Sequence, residues 1–265
     1  MAQNSHIEWT ETTWNPIAGC QKVSAGCKNC YAERMARRLA AIAAALTKQG
    51  RDPGRTGNYL SVINNRGRWN GTVFCDEDAL VDPLRWKLPR IIFVNSMSDL
   101  FQETVPLEFV QRVFDVMNKC PHHTFQILTK RPHIARSMAR SLNWSSNIWM
   151  GTSIEDSSVL DRISNLQKIP AQTRFLSIEP LLGPIPRLPL EGIHWVIVGG
   201  ESGPGARPME EKWVRQIQSR CKNMEVAFFF KQWGGVNKAA AGRTLDGRTW
   251  DSMPEPATRI QLTSV

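Results

Sequence analysis

The chain has no long apolar run. No stretch of its 265 residues approaches the roughly 18 consecutive apolar residues of a membrane-spanning helix, so no membrane span is expected. The first residues, Met1 to Trp9, have neither a basic segment nor an apolar core, so no signal peptide is expected and a cytoplasmic location is the default. Acidic residues are fewer than basic ones, at 24 against 33, which leaves a formal net charge of +9.

Cysteine is sparse, with six residues in the chain. A chain of this length can bury a full hydrophobic core, so it does not depend on disulfides for its fold. In a cytoplasmic protein the six are expected to be thiols or metal ligands. Cys75, Cys120 and Cys221 stand alone in the sequence and are predicted to be packing residues. The composition, 42% hydrophobic and 22% charged, is that of a globular protein and excludes a disordered or fibrous chain.

The other three cysteines crowd into one short loop. They have the spacing Cys20-x6-Cys27-x2-Cys30, with small residues before the first two. Three thiolates without an evident local fourth ligand fit a four-iron, four-sulfur cluster that leaves one iron open for a small molecule. Two other interpretations stay open: a zinc site completed by His6 or Cys75, and thiols without a metal.

The cysteine loop leads directly into a predicted helix. Residues 31–49 are rich in Ala, Leu and Arg, which have high helix propensity, and Gly50 is a typical helix end. The apolar residues that recur at helical spacing are Met35, Leu39, Ile42 and Leu46. The partial positive charge of the helix N-terminus beside Cys30 would help to stabilise a thiolate cluster.

Short apolar runs and helical patterns alternate after residue 90. The predicted strands are 91–94, 125–128, 148–150, 174–177, 195–198 and 227–230, and the predicted helices are 107–118, 132–141, 156–167 and 209–222. This alternation favours a parallel sheet covered by helices. Polar residues follow each strand directly, as they do on the catalytic face of an α/β barrel.

A glycine-rich string, Gly199-Gly-Glu-Ser-Gly-Pro-Gly205, follows the fifth of these strands. Its backbone amides are suited to an anion or a carboxylate. Its spacing matches neither a P-loop nor a dinucleotide-binding fingerprint. A simple glycine turn is the competing interpretation.

Several strings in the sequence resemble one family. They are Trp9-Thr-Glu-Thr-Thr-Trp-Asn-Pro-Ile-Ala-Gly-Cys20, Gly26-Cys-Lys-Asn-Cys-Tyr-Ala-Glu33, Phe93-Val-Asn-Ser-Met-Ser-Asp-Leu-Phe101, Leu128-Thr-Lys-Arg-Pro132, Gly151-Thr-Ser-Ile-Glu155, Ser177-Ile-Glu-Pro180, Gly199-Gly-Glu-Ser-Gly203 and Thr244-Leu-Asp-Gly-Arg-Thr-Trp250. Over nearly its whole length the chain is similar to a phage- and mobile-element-associated family of radical SAM-like proteins of unknown function. The resemblance implies a partial (β/α)6 barrel of the TIM type over residues 1–235, with the cluster loop after a first strand. That strand would lie near residues 10–18 or be contributed irregularly. Residues 51–90 would be a basic insertion, and residues 236–265 an extension packed on the barrel.

The resemblance also implies a reaction. A [4Fe-4S] cluster held by Cys20, Cys27 and Cys30 would bind the amino and carboxylate groups of S-adenosylmethionine (SAM) at its open iron. One electron, from a donor such as flavodoxin or ferredoxin, would split the carbon–sulfur bond and yield a 5′-deoxyadenosyl radical that abstracts a substrate hydrogen. The sequence departs from the usual Cys-x3-Cys-x2-Cys motif in its longer first gap and in Tyr31, an aromatic residue that follows the last cysteine instead of preceding it.

By the same resemblance, polar residues at the strand ends would bind SAM. The candidates are Ser96, Ser98 and Asp99 for the methionine amino group, Ser153, Glu155 and Glu179 for the ribose hydroxyls, Lys130 and Arg131 for the SAM carboxylate or a substrate phosphate, and Gly200 and Glu201 for the adenine or substrate side. Carboxylates suit the ribose because each can accept two hydroxyl hydrogen bonds.

The net charge of +9 suggests a nucleic-acid substrate, for modification or repair. The candidate contacts lie in the basic insertion, and they are Arg51, Arg55, Arg66, Arg68 and Trp69. A solvated basic loop with core tryptophans is the competing interpretation. Two other functions stay open: a radical SAM enzyme acting on a peptide or small metabolite, and a zinc-stabilised nucleic-acid-binding protein without redox chemistry.

Overall fold

A computed structural model of the chain describes residue 5 and residues 7–255. Its main feature is a sheet of seven parallel strands, accompanied by a two-stranded antiparallel ribbon. The strands are β1 (Thr12–Trp14), β2 (Ile17–Ala18), β3 (Phe74–Cys75), β4 (Ile91–Val94), β5 (Thr124–Thr129), β6 (Ile148–Ser153), β7 (Arg174–Ile178), β8 (Trp195–Gly199) and β9 (Ala227–Gln232). The sheet has the order β1-β4-β5-β6-β7-β8-β9, and the ribbon pairs β2 with β3.

Helices connect most of the strands. They are α1 (Tyr31–Lys48), α2 (Glu77–Leu80), α3 (Leu107–Asn118), α4 (Pro132–Met138), α5 (Asp161–Leu166), α6 (Glu211–Asn223) and α7 (Lys238–Ala241). The connection from β7 to β8, residues 179–194, forms no α-helix, because its four prolines remove backbone donors and restrict the chain. Within the described part of the chain, no helix is long and apolar enough to cross a membrane.

The large sheet curls into a half-barrel with different side chains on its two faces. The inner face carries an aromatic cluster that includes Trp149, Phe175, Trp195 and Phe229, closed by Trp9 from the N-terminal segment. The outer face carries aliphatic side chains that pack against the helices. Trp149, Phe175 and Trp195 lie in the first two positions of their strands, so the aromatic cluster fills the amino-terminal half of the barrel. The open space lies at the carboxyl ends of the strands.

The six predicted strands and the parallel α/β architecture are confirmed. The predicted strand number of the barrel is corrected from six to seven, because β1 (Thr12–Trp14) adds to the six apolar runs by pairing with β4. This first strand lies within the predicted interval of residues 10–18, and the cysteine loop follows it through β2.

Helix α1 covers almost the whole predicted interval of residues 31–49. The residues that it buries, however, are not the large apolar residues that recur at helical spacing in the sequence. Its buried face consists of small side chains, namely Ala32, Ala36, Ala40 and Ala43, together with Glu33. Met35 and Ile42 are each 42% exposed and lie on the outer face. The alanines allow α1 to lie close to the insertion, where Tyr59, Val62 and Trp69 pack against it.

The C-terminal extension runs along the free edge of β9. The backbone N–H of Phe230 donates to the carbonyl of Trp250 at 2.8 Å, and the rings of Phe228 and Trp250 lie 5.9 Å apart. The indole N–H of Trp195 donates to the carbonyl of Ser252, also at 2.8 Å. Residues 256–265 of the predicted extension lie outside the described residues.

Candidate functional site

A cavity of about 460 Å³ opens at the carboxyl ends of the parallel strands. This volume lies within the range of roughly 300–1,000 Å³ that is usual for small-molecule sites. Its wall includes most of the predicted site residues: Cys20, Cys27, Cys30, Trp69, Ser96, Ser98, Asp99, Lys130, Arg131, Ser153, Glu179, Gly200 and Glu201. Glu155 and the four predicted nucleic-acid arginines do not line it. The fold therefore brings residues from nearly the whole length of the chain to one edge of the sheet.

The three cysteines of the predicted cluster lie on this wall. Cys30 is the residue immediately before the first turn of α1, and Cys27 ends a short 3₁₀ turn. Burial, the carboxylate of Asp99 and the two neighbouring thiols raise the pKa of Cys20 to about 12, with a smaller opposing effect of Arg131. The three cysteines line one cavity, and cysteine sulfur is the ligand type that iron–sulfur clusters use.

A single-ion metal site has a different geometric requirement, because all of its ligands must converge on one point. Among the residues that the structure describes, no three His, Cys, Asp or Glu side chains meet this requirement. In a four-iron cluster each thiolate binds its own iron, so the thiols do not have to converge in this way.

Of the two other proposed zinc ligands, the structure describes Cys75. Cys75 is on β3, where it pairs with Ile17, and it does not line the cavity. His6 lies outside the described residues. Cys120 and Cys221 are 2% and 0% exposed, which confirms them as packing residues.

Glu155 is a buried residue that binds the cysteine loop. Its side chain is 1% exposed and accepts a hydrogen bond from Ser24 Oγ at 2.7 Å. Lys130 Nζ lies 3.2 Å from one carboxylate oxygen, and Arg162 Nη1 lies 2.9 Å from the other. A Cβ built on Gly26 would overlap this carboxylate. Both oxygens of Glu155 are bound by protein donors, so in this structure it positions the loop; that it binds ribose stays a prediction.

Glu201 holds the same loop from the opposite side. It accepts hydrogen bonds from Asn29 Nδ2 at 2.9 Å and from the backbone and guanidinium of Arg207. Arg207 also donates to the carbonyl of Ala25 at 3.0 Å. Burial alone would raise the pKa of Glu201, but the hydrogen bonds from Arg207 and Asn29 outweigh it and lower the pKa to about 2. Glu201 is thus an ionised anchor of the Cys-x2-Cys segment.

The glycine string that carries Glu201 forms a tight contact with two other segments. A Cβ on Gly200 would overlap the carbonyl of Trp233, so only glycine fits there. The carbonyl of Gly205 accepts a hydrogen bond from Asn29 at 2.9 Å, and that of Ser202 accepts one from Arg34 at 3.0 Å. The string is therefore more than a simple turn, because it fastens β8 to the cysteine loop and to α1.

Asp99 is fully occupied by protein donors. Its carboxylate accepts hydrogen bonds from the backbone N–H groups of Phe101 and Lys130, from Thr129 Oγ1 at 2.6 Å and from Arg131 Nη1 at 3.1 Å. A carboxylate has about four acceptor sites. That Asp99 receives the SAM amino group stays a prediction, and it would require one of these four donors to be displaced.

Arg131 extends this network to the cysteine loop. It is 1% exposed and also pairs with Glu103 at 2.8 Å. Its second Nη donates to the carbonyl of Gln21 at 3.1 Å. Arg131 thus positions the residue next to Cys20, and its guanidinium is already committed to protein acceptors.

The two serines beside Asp99 have structural partners as well. Ser96 Oγ donates to Asn15 Oδ1 at 3.1 Å, and Ser98 Oγ donates to the carbonyl of Ile17 at 2.9 Å. Both bonds fasten the end of β4 to the segment between β1 and the cysteine loop. Their hydroxyl protons are therefore used by the fold, but each oxygen keeps acceptor lone pairs, so contact with the SAM amino group stays a prediction.

Glu179 and Lys231 form a partly exposed pair on the opposite wall. Lys231 Nζ lies 2.9 Å from Glu179 Oε1, and Ser177 Oγ donates to the other oxygen at 3.1 Å. Ser153 also borders the void. With Lys130, these residues supply the charged and polar side chains that a ligand in the cavity would meet.

Asn95 is a site residue that the sequence predictions omitted. It follows β4 directly, lines the cavity and is 2% exposed. Neither polar atom of its side chain has a hydrogen-bond partner among the described residues. Its φ of 60° is in the left-handed region, which non-glycine residues seldom adopt. The available signal was its place as the first polar residue after a buried strand.

The predicted nucleic-acid residues do not share one environment. Arg51, Arg66 and Arg68 are exposed. Arg55 forms a bidentate ion pair with Asp82, with N–O distances of 2.5 and 3.0 Å. Trp69 is 9% exposed and packs against α1. An internally paired arginine and a buried indole do not form an exposed stacking surface, and contact of the five residues with nucleic acid stays a prediction.

Positive charge is concentrated in one part of the chain. Residues 22–70 contain ten basic residues and two acidic ones, a formal charge of +8 out of the total of +9. The basic residues are Lys22, Lys28, Arg34, Arg37, Arg38, Lys48, Arg51, Arg55, Arg66 and Arg68. This segment contains most of the cysteine loop, all of α1 and the first part of the insertion.

Comparison with known proteins places this site within a family. A family model described as "Protein of unknown function (DUF5131)" matches residues 4–254. The chain belongs to the DUF5131 family. The matched span contains all of the residues that line the cavity, so the cavity belongs to the DUF5131 domain itself. Searches of curated proteins and of solved structures return no match.

Proposed function

We propose that this DUF5131 protein is a radical SAM enzyme that binds a [4Fe-4S] cluster through Cys20, Cys27 and Cys30. The observation that supports the proposal is that three cysteines line one cavity at the carboxyl edge of a parallel half-barrel. Active sites of barrel enzymes lie at this edge. When bound, the cluster and SAM would supply one-electron cleavage of a carbon–sulfur bond and a radical able to remove a substrate hydrogen.

The chain's own residues would orient and shield the reactants. Glu155 and Glu201 fix the cysteine loop on two sides, so the thiols do not have to be ordered when a cluster binds. Lys130 and Lys231 place two ammonium groups on the wall for the carboxylate or phosphate of a ligand. The aromatic cluster around Trp195 fills the barrel below the cavity and excludes water from that side.

The test is anaerobic reconstitution with iron and sulfide. The wild-type protein is expected to bind about four irons per chain and to form 5′-deoxyadenosine from SAM when a reductant is added. Cys30→Ala is expected to lose the cluster, whereas Cys120→Ala, a cysteine in the packed core, is expected to retain it. Stoichiometric zinc without iron uptake would instead favour the zinc-stabilised binding protein. Equal iron loss in the two variants would refute the ligand assignment.

The predicted nucleic-acid substrate rests on the charge of residues 22–70 and on the exposure of Arg51, Arg66 and Arg68. Binding of a single-stranded DNA or RNA oligonucleotide is expected to weaken steeply as salt is raised. The double variant Arg66→Ala and Arg68→Ala is expected to bind more weakly and with a smaller salt slope. Unchanged binding in this variant would favour a peptide or small-metabolite substrate.

A further inference from the structure

Unpartnered polar atoms are concentrated on the cavity wall. The described residues contain ten buried side-chain nitrogen and oxygen atoms without a hydrogen-bond partner, and five of them belong to cavity-lining residues. The five are Trp9 Nε1, Trp69 Nε1, Asn95 Nδ2, Asn95 Oδ1 and Gln232 Oε1. Buried polar groups in native proteins are nearly always hydrogen-bonded, so a cluster of exceptions indicates a functional site.

Asn95 is the most unusual member of this cluster. Asparagine adopts the left-handed backbone region most readily when its side chain forms a local hydrogen bond. At Asn95 the φ is 60°, yet both side-chain atoms lack a partner. The fold therefore gains neither a hydrogen bond from the amide nor the backbone freedom that glycine would provide at the same position. A contribution to stability does not account for asparagine here.

We infer that Asn95 recognises a ligand edge that presents an N–H donor beside an acceptor, as the edge of adenine does. A carboxamide offers the complementary acceptor and donor side by side, which is how asparagine reads adenine in nucleic acids. Asn95 borders the cavity, and its terminal torsion is broad, so a small rotation turns the amide toward a ligand there. The choice of adenine rests on the proposed function, whose cofactor and predicted substrate both contain nucleobases.

The inference makes an unusual prediction for Asn95→Gly. Glycine suits a φ of 60° and removes two unpartnered polar atoms, so the variant is expected to unfold at the wild-type temperature or above it. Its binding of adenosine is expected to weaken about tenfold, the effect of losing a hydrogen-bonded contact. Stability that is kept while binding is lost separates a recognition role from a structural one.

The binding test uses adenosine and purine riboside, which lacks the exocyclic amine. Titration calorimetry on the anaerobically purified wild-type protein is expected to show about tenfold weaker binding of purine riboside. In Asn95→Gly the two ligands are expected to bind equally. Glu225→Gly is the matched control, because Glu225 also has a positive φ, of 54°, but is exposed at the end of α6 and away from the cavity. This control is expected to keep the wild-type ratio.

Several results would overturn the inference. These are the absence of adenosine binding, equal binding of the two ligands by the wild type, a wild-type ratio in Asn95→Gly, or a fall in the unfolding temperature of that variant. The proposed function has separate readouts in iron content and 5′-deoxyadenosine, so the two ideas can fail independently. Adding saturating SAM identifies the source of the adenine: displacement of adenosine assigns the edge to the cofactor, and retained binding assigns it to the substrate.

Discussion

Four carboxylates lie in or beside the cavity, and each is within 3.2 Å of a basic side chain. The pairs are Asp99–Arg131, Glu155–Lys130, Glu179–Lys231 and Glu201–Arg207. Three of these carboxylates also bind the loop or strand ends that surround the cysteines. At the scale of single residues, acidic side chains at this strand edge bind the segments on either side of the cysteines.

The ion pair of Glu201 with Arg207 makes the stability of the protein depend on pH. The pKa of Glu201 is lowered from the ordinary value of 4.5 to about 2, so the native state gains stability from the ionised form. That gain is complete above pH 4.5 and is lost as the pH falls toward 2. Glu201→Gln is expected to cost about 1–2 kcal/mol at pH 7, after allowance for solvent around the partly exposed Arg207.

The measurement is urea unfolding of wild type and Glu201→Gln between pH 2 and 7. The difference in unfolding free energy is expected to shrink as the pH falls from 4.5 toward 2. Glu108→Gln, at an exposed position on α3, is the control and is expected to change the free energy by less than about 0.5 kcal/mol. A difference that stays constant with pH would contradict the assignment of Glu201 as an ionised anchor.

The location of most site residues was predictable from the sequence, but the role of several was not. Polar residues directly after apolar runs predicted which side chains would reach the cavity, because parallel strands end at a common edge. The roles of Asp99 and Glu201 depend on hydrogen-bond donors from distant segments, such as Asn29 for Glu201. The local sequence around a carboxylate does not indicate which distant donors bind it. A carboxylate whose acceptor sites are all used by the protein therefore cannot be distinguished, in the sequence, from one that is free to bind a ligand.

At the scale of elements, the cysteine loop is a short segment fastened from several directions. It runs from β2 to α1 and contacts the ends of β5, β6 and β8 through Arg131, Glu155 and Glu201. Gly26 lies where the loop passes over Glu155, and a side chain there would collide with the carboxylate. The loop therefore has little freedom to accommodate added volume.

Gly26→Ala is expected to destabilise the protein by about 1–3 kcal/mol and to displace the loop, because Glu155 is buried and held by two cations. We expect the loop thiols to react faster with an alkylating agent. Mass spectrometry measures this rate for each cysteine separately. Gly57→Ala is the matched control, since its added Cβ lies 3.2 Å from the ring of Pro53 and away from the loop. Equal reactivity in the two variants would show that Glu155 does not position the thiols.

Elements with continuous apolar runs were predicted well, and the others less so. The six strands β4 to β9 are largely buried, so each contains a cluster of apolar residues that the sequence shows. Strand β1 has only three residues, two of them threonine, and its pairing with β4 is decided by tertiary contacts. The buried face of α1 was also missed, because close packing on the insertion favours alanine over its larger apolar residues.

At the scale of the whole molecule, the charge is strongly asymmetric. Residues 22–70 carry a formal charge of +8, which leaves +1 for the rest of the chain. A concentrated charge creates a stronger local field than the same charge spread evenly, and it accelerates the approach of anionic partners. We therefore expect the position of the basic residues to affect binding of a polyanion more than the total charge of the chain does.

Two double variants with the same change in net charge test this. Arg37→Glu with Arg38→Glu reverses two exposed charges on α1, and Arg136→Glu with Arg140→Glu reverses two exposed charges in and just after α4. The first is expected to elute from a heparin column at much lower salt than the wild type, and the second only slightly earlier. Similar elution of the two variants would show that total charge alone governs binding.

The aromatic cluster inside the half-barrel has an optical consequence. Trp9 and Trp69 border the cavity, and the ring of Trp9 lies 6.1 Å from that of Trp195, which in turn lies 6.2 Å from that of Trp149. Indole rings this close exchange excitation energy, so light absorbed by any of the three is shared among them. A coloured group in the cavity would quench their common fluorescence. The intrinsic tryptophan fluorescence would therefore report whether a coloured group occupies the cavity, without any added label.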